Sequence, residues 1–170
     1  AADSPFGDRM HSIFYENEVF AEALVNPPLV ALMTYLLGYS AVLSNMGAWM
    51  KGRTKSEFSL HTDAGGLPSP LPPQAYAAQS TYVLTDFNRE NGATCVVPGS
   101  HKLHRNPVGD ERTLLPYEQG GKEQALVLEA PAGSMVIWHG HEWHGAFNRT
   151  APGIRVSMTV YFCRPFMRPL

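Results

Sequence analysis

Residues 155–162 read Arg-Val-Ser-Met-Thr-Val-Tyr-Phe, and alternation sustained over eight positions is the period of a half-buried β-strand. Arg155, Ser157, Thr159 and Tyr161 fall on one face, with Val156, Met158, Val160 and Phe162 on the other. Upstream, short runs of β-branched and aromatic residues recur around 58–60, 77–85, 94–97, 124–128 and 134–138. Asn91-Gly92, Pro98-Gly99, Gly120-Gly121 and Pro131-Ala132-Gly133 punctuate them. Turn chemistry at that spacing predicts a mainly β protein, a sandwich or jelly-roll barrel. Before Gly38 the period is helical. Val19, Phe20, Leu24 and Val25 form one stripe, and Leu29, Leu32, Met33, Leu36 and Leu37 form another. Asn26 ahead of Pro27-Pro28 suits an N-cap followed by proline in the first turn, and Gly38 suits a C-terminal cap. Two N-terminal helices that scaffold the β structure are expected.

The 170 residues suit one domain, 1–170, large enough for a sizeable core. Fifteen glycines, 14 prolines and only 16% charged residues favour strands and turns over a helical bundle. A formal charge of -2 provides no basic field for nucleic acid or anionic lipid, so a small molecule is the expected partner. The apolar stretch 29–37 is too short to span a bilayer, and residues 1–10 lack the order of a signal peptide. Cys95 and Cys163 form no C-x-x-C pair, which favours two reduced thiols and a cytoplasmic protein. A start at Ala1 in place of Met, and an end just after an apolar strand, leave room for flanking segments of a longer protein. The oligomeric state is not readable.

His61 and Asp63 stand two apart, so a strand would offer both to one ion at its end, next to Gly65-Gly66. A histidine from a distant strand would complete a two-His, one-carboxylate face with positions open opposite, the arrangement of non-haem Fe(II) oxygenases. Residues 138–149, Trp-His-Gly-His-Glu-Trp-His-Gly-Ala-Phe-Asn-Arg, hold the candidates. A His139/His141 pair is the main rival for metal, since histidines this close can chelate. Arg155 on the inner face of a barrel needs an anion, and a dicarboxylate meeting its planar fork accounts for it better than packing does.

Leu60-His61-Thr62-Asp63, Glu90-Asn91-Gly92-Ala93 leading to Val97-Pro98-Gly99-Ser100-His101-Lys102, Gly133-Ser134-Met135-Val136, and Trp143-His144-Gly145 with Arg155 eleven residues beyond His144 occur in that order. In this the chain resembles the phytanoyl-CoA dioxygenase family of Fe(II)/2-oxoglutarate oxygenases, which includes ectoine hydroxylase. The resemblance implies a double-stranded β-helix, jelly-roll or cupin-like, with the helices packed on it. It implies that His61, Asp63 and His144 ligate iron and that Arg155 binds the distal carboxylate of 2-oxoglutarate. Gln79 and Thr81 fall where family members contact the co-substrate. A hydroxyl donor often stands two residues after the distal histidine; here that position is Ala146, and Ser157, on the face of Arg155, is the substitute. The implied activity is hydroxylation of a small molecule with O2, releasing succinate and CO2. Two alternatives remain: a metal-dependent cupin-like enzyme that does not use 2-oxoglutarate, and a non-catalytic jelly-roll binding module. The loops 64–74 and 104–121 are expected to wall the substrate pocket.

Overall fold

The computed structural model describes residues 4–64, 66–114 and 125–167. In chain order the elements are β1 (Asp8–Met10), α1 (Glu18–Leu24), α2 (Pro27–Leu37), β2 (Val42–Lys51), β3 (Phe58–His61) and β4 (Ala77–Val83). They continue with β5 (Thr94–Val96), β6 (Leu126–Val127), β7 (Met135–His139), β8 (His144–Ala146) and β9 (Arg155–Cys163). The strands form two antiparallel sheets, ordered β1-β2-β9-β4-β7 and β3-β8-β5-β6. This is the double-stranded β-helix. The alternating segment quoted first is β9, the centre of the larger sheet, and both of its faces are used.

Its apolar face, Met158 and Val160, is buried with Ile13, Leu29, Met33, Leu37, Met46 and Ala78 beneath the helices. Leu29, Met33 and Leu37 recur every four residues, and each is at most 2% exposed. Full burial of such a side chain contributes about 1.5–3 kcal/mol, so this stripe holds α2 on the sheet. No single described helix is long and apolar enough to cross a membrane.

The structure corrects several expectations. Val19 and Val25 are exposed, because α1 has only seven residues and rests on Phe20, Ala23 and Leu24, and Leu32 is exposed on α2 off the buried Leu29, Met33 and Leu37 stripe. Asn26 precedes α2 but makes no capping bond. Pro27 and Pro28 occupy the first two helical positions, which leaves only the Leu29 N–H for an Asn26 side-chain cap to accept. Its amide donates instead to the Tyr82 hydroxyl at 3.1 Å, which donates to the Ala23 carbonyl at 2.6 Å, fastening helix to sheet. The strand expected at 124–128 is Leu126–Val127 among the described residues, with Gln124 and the Gly120-Gly121 turn outside them. Strands β1, β2 and β8 were not expected. β2 contains Ser44, Asn45 and Gly47 and shows no clean alternation; a Cβ on Gly47 would stand 2.8 Å from the Met10 carbonyl oxygen, so glycine is what lets β1 close on it.

Candidate metal centre and anion pocket

His61 ends β3 and pairs directly with His144, the first residue of β8, bringing their ring centroids within 4.2 Å. The pairing is close because residue 145 is glycine: a Cβ there would lie 2.3 Å from the Phe58 carbonyl oxygen. Just past β3, the Asp63 N–H donates to the Gly140 carbonyl at 2.8 Å, turning its carboxylate toward His144. Asp63 Oδ1 is 3.5 Å from His144 Nε2 and 3.5 Å from Gln79 Nε2. One ligand atom from each of His61, Asp63 and His144 lies within 4.8 Å of the others. No other set of three or more metal-ligating side chains does so among the described residues.

The tautomers suit a metal. His61 Nδ1 meets the Ser59 carbonyl at 3.0 Å and His144 Nδ1 meets the Glu142 carbonyl at 2.8 Å, each two residues back. A carbonyl only accepts, so each Nδ1 carries a proton, and each ring in its neutral form turns an Nε2 lone pair to the centre. Burial, then the neighbouring His144, lowers the His61 pKa to about 4, which keeps that ring neutral. Burial opposes charge on His144 and Asp63 as well, but the Asp63 carboxylate raises the His144 pKa and His144 lowers that of Asp63, so the acidic side of the centre favours a positive partner. Asp63 Oδ2 is buried with no hydrogen-bond partner, an orphaned acceptor that a cation would satisfy.

Behind the triad, Arg155 is 6% exposed. Its Nη1 donates to the Gly92 carbonyl at 2.6 Å and its Cζ lies 5.0 Å from the Phe87 ring centroid. Its Nε is buried without a partner, and no carboxylate forms an ion pair with it among the described residues. Burial, then Arg149, lowers its pKa to about 10. The guanidinium is still charged at neutral pH and lacks a counter-ion, which is the signature of an anion site.

His61, Asp63, Gln79, Thr81, His144, Arg155 and Ser157 all line one cavity of about 320 Å³. Trp138, Phe58 and Trp49 form apolar wall around them. His139 and His141 lie outside it, with ring centroids 4.9 Å apart, and His141 Nδ1 meets the Pro72 carbonyl. His101 stacks on His139 with its Nδ1 3.6 Å from Glu142. Trp143 belongs to the core, donating to the Arg105 carbonyl at 2.9 Å. The described parts of loops 64–74 and 104–121 contribute no lining residue. Pro5, Phe6 and Arg9 do, and nothing in that short segment marked it beforehand.

Fold and site together define a cupin-like barrel with a candidate metal centre in its cavity. The chain belongs to the phytanoyl-CoA dioxygenase family, whose model matches residues 3–157. It is 31% identical to dioxygenase af480 of Aspergillus fumigatus over 93% of this chain and 50% of that protein. It is 25% identical to the ectoine dioxygenase of Stutzerimonas stutzeri over 86% of this chain and 55% of that one. The chain thus spans about half the length of these curated relatives. Its fold matches HygX from Streptomyces hygroscopicus, solved with nickel and 2-oxoglutarate bound, with a TM-score of 0.76 and 18% identity over 98% of this chain and 73% of HygX.

Proposed function

We propose that this chain is the core of an Fe(II)- and 2-oxoglutarate-dependent oxygenase that hydroxylates a small molecule and releases succinate and CO2. The observation that carries the reading is a two-nitrogen, one-carboxylate set, with both Nδ1 atoms tied to backbone carbonyls and Nε2 left for the centre, sharing a cavity with a buried guanidinium that lacks a counter-ion. His61, Asp63 and His144 hold the metal. Arg155 anchors the distal carboxylate of the co-substrate, beside Thr81 and Ser157. With iron, 2-oxoglutarate and O2 bound, the centre supplies oxidative decarboxylation of the co-substrate coupled to hydroxylation of a C–H bond.

The protein's part is positional. Ser59 and Glu142 carbonyls fix both imidazoles, and the Gln79 amide reaches Asp63 Oδ1 and so steadies the carboxylate. Trp138 and Phe58 keep water from the reacting centre. The test is an anaerobic titration of Fe(II) and then 2-oxoglutarate, following the metal-to-ligand absorption band, with succinate assayed after air is admitted. His61→Ala, Asp63→Ala and His144→Ala should each lose the band. Arg155→Lys should keep the metal but bind 2-oxoglutarate at least tenfold more weakly, since a point charge cannot reproduce a bidentate fork. An unchanged band in the triad variants, or unchanged co-substrate affinity in Arg155→Lys, refutes the assignment.

A further inference from the structure

One charged side chain lining the cavity is left unused by this chemistry. Arg9 stands on β1 opposite Trp49, with its Cζ 5.0 Å from the Phe6 ring centroid and 5.4 Å from that of Trp49. Its side chain, exposed at the edge of the cavity, makes no ion pair or hydrogen bond among the described residues. Contact with two ring faces engages its charge but leaves its N–H donors open to a planar anion.

Its position is built in. Gly7 has φ +69, and a Cβ there would lie 2.2 Å from the Met50 carbonyl oxygen, so the segment lies flush on β2. Phe6 packs edge-on to Phe58 at 4.3 Å, and Phe58 lies 4.2 Å from the His61 ring. Trp49 is held by its Nε1 donating to Thr159 Oγ1 at 2.7 Å. An aromatic wall therefore runs from Arg9 to a residue of the metal centre. In the loaded site, a divalent ion and Arg155 balance Asp63 and a dicarboxylate. That leaves Arg9, exposed at the cavity's edge, as the lining cation available to a further anion.

We infer that Arg9 selects the substrate, and that the substrate is a small carboxylate with an apolar body: the carboxylate meets the Arg9 fork, and the body lies along Phe6, Trp49 and Phe58. This rests on the oxygenase reading in taking the cavity as the reaction site. About 320 Å³, shared with the co-substrate, limits the enclosed part of the substrate to a small group.

The test is calorimetric titration of the full chain with 3-phenylpropanoate, 4-phenylbutanoate and octanoate, each beside its primary amide. It is run on metal-free protein and on protein carrying Ni(II) and 2-oxoglutarate. In both states, at least one acid should bind about tenfold more tightly than its amide. Arg9→Gln should abolish that preference in the loaded protein, where 2-oxoglutarate occupies Arg155, and weaken it in the metal-free protein; Arg9→Lys should retain part of it. Equal binding of acids and amides, a preference that Arg9→Gln leaves unchanged, or no binding by any acid overturns the inference. Failure of the wild-type chain to take Ni(II) and 2-oxoglutarate would instead count against the oxygenase reading, with the Arg9 preference still measured in the metal-free protein.

Discussion

Replacing Lys51 by Met tests the electrostatics behind the pocket. Lys51 ends β2 directly opposite Arg155, is 1% exposed, and donates from Nζ to the Phe147 carbonyl at 2.6 Å. Burial first, and the Arg155 charge second, lower its pKa from 10.5 to about 7. At about 1.4 kcal/mol per pKa unit, holding the ammonium charged in the fold costs on the order of 5 kcal/mol. Because the folded pKa lies below the unfolded one, the unfolded chain holds more protons between pH 7 and 10.5. Stability from this group therefore rises with pH across that window, and the full penalty applies below it. Lys51→Met removes the penalty but leaves the Phe147 carbonyl unpaired, a loss of about 1–3 kcal/mol. The variant should exceed wild type by roughly 2–4 kcal/mol at pH 6, with the gain gone by about pH 10. Urea unfolding of metal-free protein across that range measures it. Saturating 2-oxoglutarate should shrink the pH 6 gap, because an anion at Arg155 offsets the local positive charge. Parallel stability curves, or a variant weaker than wild type at pH 6, would refute the reasoning.

Gly145→Ala should cost about 3 kcal/mol in urea unfolding, since its Cβ meets the Phe58 backbone oxygen at 2.3 Å and the β3–β8 pair must part. Metal affinity by titration should fall with it, and a wild-type metal site in that variant would mean the pairing does not set the ligand geometry. Cys95 is fully buried, with its thiol pushed up to about 12 mainly by desolvation, and Cys163 is raised for the same reason. Iodoacetamide at pH 8 should label neither until denaturant is added; labelling of the folded chain at the rate of a free thiol would contradict this burial.

Local periodicity carried much of the fold and part of the site. Alternation in 155–162 assigned Met158 and Val160 to the core under the helices and Arg155 and Ser157 to the cavity. The two-residue step from His61 to Asp63 brought both toward one point. Selecting His144 over His139 or His141 needed the family resemblance, because cross-strand pairing of residues 83 positions apart leaves no local trace. Arg9, Phe6 and Trp49 were illegible for a related reason. β1 has three exposed residues and β2 no clean alternation, so their pairing follows from the close approach that Gly7 and Gly47 permit. The stripe of Val19 and Val25 misled because a two-turn helix has too little surface to bury both sides.

The pairing of His61 with His144 also sets an order of events in the cell. During synthesis the first of these histidines is made 83 residues before the second. At typical elongation speeds it waits roughly 4–17 seconds for its partner. A nascent chain shorter than that carries only His61 and Asp63 of the candidate set. On the proposed reading the three-ligand centre is complete only once the smaller sheet has closed, so metal uptake would report the completion of folding.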